Sequence, residues 1–446
     1  MEKTLIFASA KEVRFKKVLK FIIPTYLTSL FNTVYTMVDG IFVASYVGTN
    51  ALAAINIVYP IVNVLTGIAL LFATGGSALT ALHIGAKNIK EANRTFSISL
   101  LSSIFIGCLF SLLVFLNLVP ILQFLGATSI TMADCKIYAI WWLIGTPVVI
   151  GKELFTYFIR IDGSPSYSFF TALSGGILNI ILDYIFVGQL KMGIRGAALA
   201  TILGLVLSFL MGIVYFVKKN HQLIFTIHGL SLRTGLRCMV NGTSEFVNQI
   251  ATAITTIVFN RTAMALSGED GIAAVTIIMY LQFLIIGVYF GFSAGISPPL
   301  GYAYGNKQKD VCNVLEKYAY RFFTFAPFIM YGLTFFFAPV GVSLFAAGKQ
   351  SVYVMAVSGM RIYGLGFLFS GLNIFAAFRM VTYGKGHLSW IITFLRSFAL
   401  LLLFLMILPK HYDLLGVWLA VPMAEFFTFF VSLLSLFFIK TTKLLS

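Results

Sequence analysis

Charge is scarce in this chain. Only 10% of its 446 residues are Asp, Glu, Lys or Arg, against about 25% in a soluble domain. That deficit excludes an ordinary water-soluble fold. Acids are scarcer still, 15 against 31 Lys and Arg. Cysteine is rare, and Cys108, Cys135, Cys238 and Cys312 show neither pairing nor metal-ligand spacing, so reduced thiols are expected rather than a disulfide scaffold. Five isolated histidines and the lack of HExxH or GxSxG argue against an intramembrane enzyme. No cofactor is implied. The chain has no cleavable signal pattern; residues 1–20 read as a charged, amphipathic lead-in to a first span that acts as the insertion signal. The period-2 alternation of an outer-membrane barrel is missing too.

What remains is apolar: 59% hydrophobic residues and a mean hydropathy of +0.95. The runs are long enough to cross a hydrocarbon core of about 30 Å as helices. They predict an all-α membrane protein of twelve spans, near 20–43, 52–82, 95–118, 137–159, 166–188, 193–217, 236–264, 272–302, 318–345, 354–379, 387–408 and 414–440. Pro24, Pro147, Pro298, Pro299, Pro327 and Pro422 fall in or near spans and supply bends. Lys and Arg in the connections divide 22 to 5 between the two faces, counting Arg160 and Arg379 on the rich side. This bias predicts cytoplasmic termini in an integral multi-pass cell membrane protein. The basic excess suits anionic lipid headgroups of the bilayer. Being spread over loops, it gives no nucleic-acid module.

The chain also repeats itself. Shifted by 220 residues, Gly75, Gly85, Lys87 and Asn93 fall on Gly295, Gly305, Lys307 and Asn313, and Gly196-Ala197-Ala198-Leu199-Ala200 falls on Gly416-Val417-Trp418-Leu419-Ala420. One constant offset is the mark of duplication. Six spans per copy make the copies parallel repeats about an axis along the membrane normal. The expected division is a first bundle at 1–217, a polar linker at 218–235 and a second bundle at 236–446.

A carboxylate within a span costs about 2.5–3.5 kcal/mol on insertion scales, so each needs a reason. Asp39, Glu153, Asp183, Glu245 and Glu425 qualify, the other acids falling in loops or near the surface. Asp39 lies near the outer end of span 1 and Asp183 about 25 Å along span 5. Asn179 is one turn before Asp183, and Thr201 lies about 12 Å into span 6. These groups all offer oxygen, which suits a hard cation, while a pair of acids can share a proton. Hydrogen bonding between helices is the structural alternative. At the 220 offset their counterparts are Phe259, Ala399, Leu403 and Val421, all apolar. Loss of all four from one copy favours a single functional ion site in the first bundle.

The stretches Val38-Asp39-Gly40-Ile41-Phe42-Val43, Gly75-Gly76-Ser77-Ala78, Leu178-Asn179-Ile180-Ile181-Leu182-Asp183 and Gly193-Ile194-Arg195-Gly196-Ala197-Ala198, in this order and spacing, resemble the multidrug and toxic compound extrusion (MATE) family. The resemblance implies a V-shaped pair of six-helix bundles with a central cleft. It also implies export of amphipathic, often cationic, small molecules in exchange for Na⁺ or H⁺, by a protein that works as a monomer. Asp39, Asn179, Asp183 and Thr201 match the family's cation site, and Tyr138 resembles a nearby Tyr. In the second bundle Glu245 matches one acid of a second pair in some members, but span 10 has no carboxylate. Glu245, with Gln249, Gln282 and Asn373, is instead a candidate for substrate or proton handling, or simple polar contact. Glu153 beside Lys152, and Glu425 with Arg396 or Arg361, read as internal ion pairs. Tyr35, Met37, Tyr59, Met279, Tyr280 and Phe283 lie on spans that the resemblance puts at the cleft, where aromatic and sulfur groups suit flat cations. A lipid-linked saccharide flippase, a narrow-substrate carrier of the same superfamily and a channel are the rival transport readings.

Overall fold

The computed structural model describes residues 7, 9–47, 49–218, 221–345 and 349–438, excepting the side chains of 33, 34, 36–41, 43–45, 49, 50, 52, 53, 269 and 436–438. The described chain is helical almost throughout. The first half comprises α1 (Phe15–Tyr46), α2 (Thr49–Gly85), α3 (Ile89–Leu116), the short α4 (Leu118–Phe124), α5 (Met132–Ile144), α6 (Thr146–Ile161), α7 (Pro165–Asp183) and α8 (Gly193–Val217). The second half comprises α9 (Leu232–Gly305), α10 (Lys309–Ser343), α11 (Gln350–Tyr363), α12 (Phe367–Thr382), α13 (Gly386–Phe394) and α14 (Leu400–Phe438).

Among the described residues nine helices are long and apolar enough to span a membrane, or ten with α5 and α6 taken as one span bent by 55°. Twelve crossings follow once α1 is added and the long 386–435 helix is divided. At Asp413 the backbone turns left-handed (φ 48°), and a side chain on Gly416 would run into the Leu408 carbonyl, so the chain doubles back there. The positive φ of Gly268 divides α9 into arms Leu232–Gly268 and Asp270–Gly305 in the same way. Pro147 opens α6 just beyond the bend, a place where its missing N–H costs no hydrogen bond. The interfacial α4 has no counterpart among the expected elements.

The duplication is visible in the backbone. Lys87 and Lys307, 220 residues apart, both adopt positive φ. At the basic end the halves meet along seams that obey the same offset. Gly75 on α2 abuts the backbone of Cys238 and Gly242 on the first arm of α9. Its counterpart Gly295 abuts Ile22 of α1, itself the counterpart of Gly242. Gly85 faces the Tyr302 carbonyl and Gly305 faces the Leu82 carbonyl, a reciprocal pair. Side chains at these glycines would strike backbone, so contact this close needs their absence. Asn241 adds a stitch: its amide donates to the Gly75 (3.2 Å) and Val381 (3.0 Å) carbonyls and accepts from the Gly386 N–H (2.9 Å). Further out α1 parts from the second arm of α9, while Gly67 of α2 still meets Phe246 of the second half. Along the second arm of α9, Gly295 and Gly291 are jammed against α1, but Gly287 has nothing within 4 Å of a would-be side chain. The bundle is therefore a V, closed at the basic end.

α1 belongs to both halves. Its basic end packs on the second half, where the Phe15 ring lies tilted against Tyr318 at 5.2 Å and Tyr318 donates to the Val13 carbonyl. Further along, Phe31 and Tyr35 lie against Gly176 of α7.

Candidate functional site

The site in the first half begins with two glycines. A side chain on Gly175 of α7 would strike the Ser208 hydroxyl and the Gly204 carbonyl of α8, and one on Gly204 would strike the Gly175 carbonyl and Asn179. This close crossing sets the Asn179 face of α7 beside Thr201 on α8. Asn179 is 2% exposed, Asp183 is fully buried and Thr201 is buried. A π-helical segment, Tyr184–Gln189, follows Asp183 directly; such widened turns recur at functional sites. Thr201 donates its hydroxyl proton to the Ala197 carbonyl (3.0 Å), which leaves oxygen lone pairs for a cation. Neither amide atom of Asn179 has a hydrogen-bond partner among the described residues. A buried amide left so costs about 1–3 kcal/mol, which a ligand would offset. Asn179, Thr201, Tyr35, Asn32, Ser208 and Lys152 are among the residues around a cavity of about 10 Å³, roughly one water or one small ion. Lys152 is held by Glu153 (Nζ to Oε1, 2.7 Å).

Asp39 and Met37 lie on α1, but their side chains are outside the described residues. Tyr138 is buried on α5 with its ring 6.3 Å from Trp142; it is not among the lining residues of the small cavity. Tyr59 is 47% exposed, and its hydroxyl is in electrostatic reach of Tyr35 on α1 and Tyr280 in the second half. These three tyrosines therefore face the space between the halves. Phe283 and Tyr280 are exposed, with Tyr280 against Phe345 at 6.0 Å, while Met279 packs toward the second-half core.

In the second half, Arg396 grips Glu425 (Nη2 to Oε1, 2.6 Å), and Asn373 donates to the other carboxylate oxygen (2.7 Å) and to the Glu425 carbonyl (2.9 Å). Asn373 is thus committed to this cluster rather than to the cleft. Arg396 sits within a second π-helical segment, Leu395–Ala399. Arg361 is elsewhere, over the Phe335 ring at 4.8 Å. Glu245 makes no hydrogen bond among the described residues, including the alternative partners Gln249 and Gln282. Its field reaches Arg396 in its own half and Tyr157 in the other.

Three charged groups need correction. Glu316, expected near the surface, is buried on α10 and bonded to Arg379 (2.6 Å) and Tyr383. Arg379 and Arg160, counted with the loop charges, are buried too. Pairing between distant spans keeps the first two inside, and no sequence spacing reveals it. Asp162 is a fourth buried group. It accepts from Tyr215 (2.8 Å) and from the Gln222 and Leu223 N–H groups (3.0 and 2.9 Å), and it meets His221 at 3.1 Å. It ties the linker to the first half. Burial raises its carboxyl above the usual value, against these hydrogen bonds.

The MatE family profile matches residues 24–185 and 246–407. The chain therefore belongs to that family, and it is an integral multi-pass membrane protein. Among curated relatives it is 25% identical over 392 residues to the multidrug export protein MepA of Staphylococcus saprophyticus, covering 83% of this chain and 84% of that one. Among solved structures it resembles MATE in complex with MaL6 (22% identical, TM-score 0.92, covering 100% and 99%). It also resembles an outward-facing multidrug resistance MATE transporter of the MOP superfamily (22% identical, TM-score 0.90, covering 99% and 98%).

Proposed function

We propose that the protein exports amphipathic, often cationic, organic compounds in exchange for Na⁺ or H⁺. The observation that carries this reading is the buried oxygen set of Asn179, Asp183 and Thr201 beside a small cavity, with both Asn179 amide atoms lacking partners among the described residues. On this reading Asp39 completes the ion site from α1. The basic end is cytoplasmic by the charge bias, so the V opens outward. A cation entering from outside alters the packing of Phe31 and Tyr35 against Gly176, and α1 transmits the change to the cleft. The coupling can be no larger than the cation's difference in affinity between the two states. The name of the relative MepA supports drug export. Glu245, without a hydrogen-bond partner among the described residues, and the tyrosine-lined cleft favour a cationic cargo over the anionic cargo of a lipid-linked saccharide flippase.

The test is ethidium efflux from proteoliposomes under an imposed Na⁺ or pH gradient, with Asp183→Asn as control. Efflux driven by one gradient and lost in the variant names the ion. No efflux under either gradient, with folded protein, rejects the reading in favour of a flippase or a narrow-substrate carrier.

A further inference from the structure

A second cavity lies inside the closed basic end, and it straddles the internal two-fold axis. Thr74 and Ala294, Ser77 and Ser297, Ala78 and Pro298, and Ile161 and Val381 all line it, each pair 220 residues apart. Its volume is about 40 Å³. That is room for one to a few water-sized groups, and far short of the roughly 300–1,000 Å³ of an organic substrate site.

The charged residue of the lining breaks the symmetry. Arg160 stands where the second half has the apolar Met380. It is 7% exposed. Its Nε donates to the Thr156 carbonyl (3.0 Å), and its guanidinium lies over the Tyr157 ring at 4.4 Å. Among the described residues Nη1 and Nη2 have no hydrogen-bond acceptor, and no carboxylate forms an ion pair with it. The acid in electrostatic reach is Glu153, already engaged by Lys152 at 2.7 Å. Arginine cannot escape burial by losing its proton, and among the described residues the Thr156 carbonyl and the Tyr157 ring offset its charge without a carboxylate. Burial of this charge comes from the meeting of the halves, because both contribute walls. The hydroxyls of Thr74, Ser77, Ser297 and Thr382 surround the same space. They bond helix carbonyls but can rotate to donate to a ligand.

We propose that this cavity binds a small inorganic anion of chloride size against Arg160, and that the anion holds the basic end shut. The inference rests on the closure and not on the identity of the cargo. When the halves part, water solvates Arg160 and the anion leaves. Chloride is then a ligand of the closed form and stabilises it by mass action.

The experiment is thermal unfolding of the purified full chain in detergent, titrating sodium chloride against sodium gluconate at constant ionic strength. The wild type should gain roughly 2 °C or more, saturably, in chloride. Arg160→Gln should show no chloride response. Ser297→Asp, which supplies a carboxylate within the cavity, should be more stable than wild type in gluconate and indifferent to chloride. Crystals grown in bromide should show an anomalous peak beside Arg160. A wild type that unfolds identically in both salts overturns the proposal. So does a chloride response that persists in Arg160→Gln. If Arg160→Gln does not fold, a Ser297→Asp protein that keeps the wild-type chloride response overturns it instead.

Discussion

The two halves share a fold and spend their polar residues in opposite ways. In the first half Gly176 and Leu205 line the cavity beside Asn179. Their counterparts in the second half are Arg396 and Glu425, which close on each other at 2.6 Å. Asn373, the counterpart of Glu153, completes that cluster. One copy keeps a small cavity lined by polar groups. The other fills the equivalent position with a guanidinium fixed to the chain. At the seams the opposite holds, and Gly75 and Gly295, or Gly85 and Gly305, play the same part in both copies. Duplication has preserved what lets the halves touch and released what they do inside.

The largest effect that tests this contrast belongs to the first half. Asp183→Asn should cut gradient-driven efflux by at least about tenfold, the equivalent of 1.4 kcal/mol of ion binding, with normal membrane expression. Full transport by this variant removes the asymmetry of function. Next comes the second-half pair. Arg396→Ala should destabilise the protein by about 3–5 kcal/mol, because it leaves the buried Glu425 without its cation and with only the Asn373 amide, while Arg396→Met with Glu425→Leu should recover most of that loss. Denaturation in detergent reads both, and a double variant no better than the single one would mean that the cluster is more than a structural filler. The seam predicts equality: Gly75→Val and Gly295→Val should open the basic end alike, raising maleimide labelling of the buried Cys238. A response from only one of them breaks the two-fold description. The smallest effect is Glu245→Gln, expected to weaken export of a cationic dye by less than about tenfold and to leave a neutral one unchanged. Equal losses for both dyes would place Glu245 outside cargo recognition.

Much of the architecture was legible because its causes are local or periodic. Apolar runs, the 220-residue offset and the Asn179–Asp183 spacing are all written along single helices. The expected spans differ from the observed helices mainly at their ends, where helices run on past the apolar stretch, as α10 does by starting at Lys309 instead of 318. What escaped depends on meetings between distant segments. The Glu316–Arg379–Tyr383 cluster joins α10 to α12 and the turn beyond it. Asn241 reaches three backbones at once. Arg160 reads as an ordinary flanking charge until the second half is placed against it. A polar residue within an apolar run shows that a partner is required, but not which one.

The path of α1 bears on how the molecule is made. Its basic end rests on Gly291, Gly295 and Tyr318, and the Phe7 carbonyl accepts from Gln308. All of these partners lie near residue 300, so the ribosome adds them long after the first span has emerged. Such distant pairing is slow to form, because its loop must close before contact rewards it. A helix made early in this chain is thus among the last to be completed. Until the eighth crossing arrives, its apolar face at Val18 and Ile22 needs lipid or the insertion machinery as a stand-in.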